Sequence, residues 1–305
     1  MAQKKDMDSA VFEGIRKTIS RFRRKPFHYF TEADIHSSLL RDIIDAAPDL
    51  TIFRPSFFDN ELGHLNHISV SLVHQEYPTH FRYKKNLLLN GYRSKSEVEK
   101  TLLNYTDEND KACGDRGNFD LAVLNKEFVL KMLKTNDLTN ALEEIIHKDI
   151  SRARKRFKDT PDKFKEELLF AIEVKFIHAF NARNIEMLYE VIKDDQKLRL
   201  AHYNSGGNIK PVNLVFCSSP PKKSRGGISP VIELIKDYIS EGKVEDRDGV
   251  PFVHPDEIVT IFIESFIEDE KGENNMPTSK KQTLKPQVSK NPPVWARPLI
   301  EGLKL

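Results

Sequence analysis

Side chains alternate between the two faces of a β-strand. In the apolar run LLFAIEVKFI at 168–177, a carboxylate and an ammonium group, Glu173 and Lys175, therefore point the same way, while Phe170, Ile172, Val174 and Phe176 share the opposite face. In GNFDLAVLN at 117–125 the same rule sets Asp120 opposite Phe119, Leu121 and Val123. Charges at the centre of strands this apolar are costly to bury unless they are paired or bound to a cation. A third acid, Glu32, falls on the apolar face of a helical stretch that opens at Thr31. Converging carboxylates form a hard-ligand site of the kind Mg²⁺ prefers. A lysine beside such a site orients or helps deprotonate an attacking water and stabilises charge on a phosphate. The chemistry implied is metal-dependent hydrolysis of a phosphodiester. A structural charge cluster of Asp120, Glu173 and Lys175 is the alternative that the same residue types admit.

The elements that must position these groups follow from periodicity. Val11, Phe12, Ile15, Ile19 and Phe22 recur at helical spacing and predict an amphipathic helix over ~8–24, ended by Pro26. Thr31 with Asp34 three positions on reads as an N-cap, and Ile35, Leu39, Ile43 and Ile44 extend that helix to about Ala47. ISVSLVHQEY (68–77), 117–125 and 168–177 read as three strands, able to form a meander. A mostly helical segment, about 126–167, separates the last two. A helix through Ile185, Leu188, Tyr189, Ile192 and Leu198, a strand at 212–219, a helix VIELIKDYIS and a strand at 258–265 complete the pattern. This order predicts a mixed α/β sheet covered by helices. Residues 269–305 are rich in Lys, Asn, Ser and Pro and are expected to be a flexible tail, with Trp295 as the single residue suited to dock back.

The order of elements and the motif residues resemble the PD-(D/E)XK nuclease superfamily. The resemblance rests on Asp120, on Glu173-Val174-Lys175, on Glu32 in the preceding helix, and on the stretches VHQEYPTHFRY and RGNFDLAVLN, which look like those of uncharacterised prokaryotic members. It implies a restriction-endonuclease-like core, α-β-β-β-α-β, over residues 26–268, with a basic amphipathic helix at 1–25 before it and a helical insertion between the second and third core strands. Asp120 and Glu173 become metal ligands, Lys175 the catalytic lysine and Glu32 an auxiliary acid. Gln196 and Lys197 are candidates for the polar residue that members carry on the next helix. The implied cofactor is Mg²⁺, with Mn²⁺ as the alternative ion, and the implied partner is nucleic acid, DNA before RNA. Phe119 stands where the family motif has Pro, and the segment between Asp120 and Glu173 is longer than a hairpin needs.

Total charge is nearly balanced, 48 Lys and Arg against 46 Asp and Glu, which excludes binding driven by the whole surface. The balance is uneven along the chain. Residues 16–25 hold six basic side chains and no acid, and residues 148–165 hold eight against three acids. Arg152, Arg154, Lys155, Arg156 and Lys158 of the second cluster are candidates for phosphate contact, as is Arg116 beside Gly117. Glu76 shares a strand face with His74, which admits either a place near the metal or the substrate or a structural hydrogen bond.

His64 and His67 lack a second pair at zinc-ligand spacing, and Cys113 and Cys217 form no CxxC pair or disulfide framework. The Gly206-Gly207 and Gly226-Gly227 pairs lack the phosphate-cradling pattern of a nucleotide-binding loop. No stretch approaches the ~20 apolar residues of a membrane span, and the start MAQKKDMDSA lacks the apolar run of a secretory signal, so a cytoplasmic location is expected. Cleavage of both strands of a duplex calls for two active sites, which a homodimer would supply. The rival reading is a non-catalytic nucleic-acid-binding or protein-interaction module that keeps the fold.

Overall fold

The computed structural model describes residues 6–47, 50–53, 67–79, 117–133, 165–178, 184–219, 230–245, 249, 251–271 and 277–303. Helix α1 (Met7–Arg24) is capped by Asp6, whose carboxylate accepts from the Ser9 amide at 2.8 Å. Helix α2 (Glu32–Ala46) opens on a capping box in which Thr31 and Asp34 satisfy each other's backbone amides. Strands β1 (Leu50–Phe53) and β2 (His67–Val70) form a separate antiparallel ribbon. Then follow β3 (Val73–Pro78), β4 (Asn118–Leu124), α3 (Lys126–Leu133), β5 (Leu168–His178), α4 (Glu186–Asn204), β6 (Lys210–Ser219) and α5 (Pro230–Ser240). A short ribbon, β7 (Lys243–Glu245) and β8 (Pro251–Val253), precedes the long β9 (Val259–Lys271), β10 (Pro277–Thr283), β11 (Gln287–Val288) and α6 (Arg297–Glu301).

The main sheet runs β10-β9-β6-β5-β4-β3, with β11 also on β9. Strands β3, β4 and β5 are an antiparallel meander, and β5, β6 and β9 are parallel, so the sheet is mixed, as expected. One face is covered by α1 and α2: Val11, Phe12, Ile15, Ile19, Phe22, Ile35, Leu39 and Ile43 pack on Leu121, Val123, Phe170, Ile172, Val174 and Phe216. The other face is covered by α4 and α5 through Leu188, Val191, Ile192, Val231, Ile235 and Ile239 against Ile177, Val215, Cys217 and Phe262. Each such buried side chain contributes about 1.5–3 kcal/mol, enough in sum to hold both helical layers on the sheet. Among the described residues no helix is long and apolar enough to cross a membrane.

Three expectations need correction. The strand expected at 68–77 is two, because the chain turns at Ser71 and Leu72 and sends β2 to pair with β1 rather than with the main sheet. Residues 277–303 differ from the expected flexible tail. They add β10 and β11 to the edge of β9, then bury Ala296, Leu299 and Leu303 beside α1, with the Trp295 ring 6.1 Å from Phe170. The basic face of α1 is partly turned inward: Arg21 grips Asp42 through two hydrogen bonds of 2.9 and 2.7 Å, and Arg16 donates to the Pro298 carbonyl at 3.3 Å. Of the helical insertion expected at 126–167, α3 is described. The basic cluster with Arg152, Arg154, Lys155, Arg156 and Lys158 lies outside the described residues, as do Arg116, His64 and Cys113.

Helix α4 is fixed by a buried polar chain. His254 Nε2 meets Thr260 Oγ1 at 2.8 Å, and Thr260 donates in turn to Asp195 Oδ1 at 2.8 Å, so the imidazole acts as the donor. Asn213 donates to the same oxygen at 2.9 Å. Burial pushes the Asp195 carboxyl up to about 6 and holds the His254 imidazole down to about 4, which keeps the ring neutral.

Two measurements check this packing. A Cβ on Gly14 would stand 2.6 Å from Ile43 Cγ1 and 2.8 Å from its backbone nitrogen. Alanine's helical advantage over glycine is about 1 kcal/mol, and overpacking costs about 1–3 kcal/mol. Gly14→Ala should therefore lower the denaturation midpoint; an unchanged or raised midpoint would refute the close approach of α1 and α2. The Asp195 carboxyl, raised when folded, contributes fully below about pH 4 and loses that contribution as pH rises through about 6. Between those values, wild type should lose on the order of 2–3 kcal/mol of unfolding free energy relative to Asp195→Asn. Parallel pH profiles in urea titrations would count against the buried carboxylate.

Candidate metal centre at the splay of two strands

The ladder between β4 and β5 ends at Leu121↔Ile172, while β4 stays paired with β3 as far as Asn118. Beyond that point β5 runs on without β4, and its amides on this side need other acceptors. Asp120 Oδ2 accepts from the Val174 amide at 2.7 Å, and Glu32 Oε2 from the Phe176 amide at 3.1 Å. Glu32 reaches the strand because the capping box sets α2 to begin at that residue. The two carboxylates thus occupy successive positions along the edge that β4 has left.

Lys175 lies between the helical layers, its Nζ 3.5 Å from Glu32 Oε2 of α2 and 3.5 Å from Asp194 Oδ2 of α4. Glu173 is buried and meets Lys197 Nζ at 2.7 Å, while Lys197 also donates to the Asn118 carbonyl at 3.0 Å. The other carboxylate oxygen of Glu173, Oε1, is buried without a hydrogen-bond partner among the described residues. Asp120, Glu32, Glu173 and Lys175 are thus gathered around the splay, and Lys197 joins them from α4. Gln196 is buried, with its Oε1 also lacking a hydrogen-bond partner among the described residues.

Two residues of the site carry no signal in the strand pattern. His36, one turn after Glu32, directs Nε2 to Asp120 Oδ2 at 3.3 Å. One ligand atom each from Glu32, His36 and Asp120 lies within 4.8 Å of the others. Glu173 is not in that group. Asp194 is the second, visible in sequence only as one of a pair of acids on a helix. Glu76 does not join the metal group. It stands between the pairs Gln75↔Leu121 and Tyr77↔Phe119 in unbroken register, with φ +53°. Its exposed carboxylate instead accepts from Asn118 Nδ2 at 3.4 Å.

Charge is unevenly matched around the splay. Burial works to lower the His36 imidazole, but the Asp120 hydrogen bond and the charges of Asp120 and Glu32 hold it above its ordinary value. Burial would raise Asp120, yet His36 and the Val174 amide keep it below. Burial opposes the charge on Lys175, but Asp194, Glu32 and Asp120 outweigh it and raise that lysine. Burial pushes Asp194 up to about 6 despite both lysines. It pushes Glu173 well up too, with the negative charge of Asp120 and Asp194 acting in the same sense. The donor set of Glu32, Asp120 and His36 suits a divalent cation, and two ligands of one small ion stand at most about 4.2 Å apart. No protein-family model matches the chain, no curated protein matches it in sequence, and no solved structure matches it in fold.

Proposed function

We propose that this chain is a metal-dependent nuclease of the PD-(D/E)XK superfamily, with a restriction-endonuclease-like core formed by α2, β3, β4, β5, α4 and β6. Its substrate class is nucleic acid, DNA before RNA, and its location the cytoplasm. The observation that carries the reading is the meeting of Asp120, Glu32 and the Glu173-Val174-Lys175 strand where β4 and β5 part.

A Mg²⁺ ion held by Asp120 and Glu32, with Glu173 beside them, would polarise a phosphoryl oxygen and lower the pKa of water. The side chains divide the remaining work. Lys175, raised by its acidic neighbours, stays protonated at neutral pH and acts as a fixed cation rather than a base. In that form it stabilises charge on a phosphate and orients the groups around it. Lys197 holds Glu173 in place through the 2.7 Å ion pair. The Val174 and Phe176 amides fix the two carboxylates in position before substrate arrives.

A second reading draws on the same contacts. Both lysines already have carboxylate partners, which suits a non-catalytic binding module with a closed charge network. Nuclease assays on DNA and RNA with Mg²⁺ or Mn²⁺ separate the two. Asp120→Ala and Lys175→Ala should each lower cleavage by about 10²-fold or more. Cleavage that survives both substitutions would overturn the site, and metal-independent inertness of the wild type on every substrate would favour the binding module.

A further inference from the structure

We propose that the metal site of this chain is the Glu32–His36–Asp120 triad and that it takes a divalent first-row transition ion in preference to Mg²⁺. The inference rests on the nuclease reading for the ion's catalytic use, and on the geometry alone for its binding. Glu32 and His36 are four residues apart, so both project from one face of α2. Asp120 comes to the same point from β4, and the three ligand atoms lie within 4.8 Å of one another. His36 is 6 % exposed, and its Nε2 faces Asp120 Oδ2 at 3.3 Å. A buried imidazole nitrogen and a carboxylate oxygen at that separation stand as two neighbouring ligands of one ion do.

The donor types decide which ion. Mg²⁺ favours an all-oxygen shell and keeps several waters, whereas an imidazole beside two carboxylates suits the transition ions. The surroundings favour positive charge. Four carboxylates, Glu32, Asp120, Glu173 and Asp194, face two ammonium groups, Lys175 and Lys197, and the one imidazole. With the imidazole neutral, the carboxylates outnumber the ammonium groups. A divalent ion beside Glu32 and Asp120 adds positive charge to that cluster.

The probe is Mn²⁺, followed by the loss of the free-ion paramagnetic resonance signal, with Mg²⁺ added as competitor. Wild type should bind one equivalent of Mn²⁺ and retain it against a tenfold excess of Mg²⁺. Loss of even an outer-shell partner typically costs about 10–100-fold in metal affinity, so His36→Ala should weaken Mn²⁺ by about tenfold or more. His36→Asp keeps a donor but makes the shell all-oxygen, and should erase the preference for Mn²⁺ over Mg²⁺ while the circular dichroism spectrum stays that of wild type. No Mn²⁺ binding by wild type, or a folded His36→Asp with the wild-type preference, overturns the proposal. Mn²⁺ bound as described without cleavage of any nucleic acid would overturn the nuclease reading and leave this site standing. Cleavage supported by Mg²⁺ and lost in Asp120→Ala, with Mn²⁺ affinity indifferent to His36, would do the reverse.

Discussion

Two backbone amides of β5, at Val174 and Phe176, are held by side-chain carboxylates because strand pairing with β4 stops at Leu121↔Ile172. Leaving a buried amide without an acceptor costs about 1–3 kcal/mol, so the place of each acid is enforced by the sheet itself. Asp120 cannot swing away without exposing the Val174 amide to an apolar surrounding. Glu32 cannot leave Phe176 without the same loss, and its reach depends on the capping box that starts α2. The splay thus converts a break in regular structure into two fixed negative groups.

The lysines follow from those acids. Lys175 stands between Glu32 and Asp194, and so links the helical layer on one face of the sheet to that on the other. Its charge is stabilised by more acids than it can neutralise, which removes it from the role of general base that a lysine at this position suggests on sequence alone. Lys197 is tied to Glu173 and the Asn118 carbonyl. With both cations engaged, the unpaired Oε1 of Glu173 and the elevated Asp194 mark the side of the cluster that still lacks positive charge.

The parts of this arrangement that follow from local pattern are legible in the sequence. Period-2 alternation identifies β4 and β5 and aims Glu173 and Lys175 together, and Thr31 with Asp34 marks the start of α2 and hence the position of Glu32. Residues whose place depends on tertiary contact are not. His36 reads as one more polar residue of an amphipathic helix, and only the approach of β4 gives it Asp120. Glu76 takes the left-handed region at φ +53°, a backbone state that alternation along a strand does not anticipate. The polar composition of 269–305 suggests disorder, yet β9 offers an open edge, and a polar strand such as β10 needs only backbone hydrogen bonds to pair there.

Helix α4 carries two neighbouring acids into opposite situations, and the contrast separates structure from chemistry. Asp195 is fully buried, accepts from Asn213 and Thr260, and faces the buried, neutral imidazole of His254. That network locks α4 to β6 and β9 and has no route to solvent. Asp194, the adjacent residue, points to Lys175 and through it to Glu32, whose side chain is 37 % exposed, and Asp120, at 18 %. A cluster that is sealed serves packing, since no ligand reaches it. One that is rigid at its base and partly exposed at its rim is what the proposed metal centre calls for, ligands held before the ion arrives. Because one turn of α4 belongs to both, the sealed network sets where the open one stands.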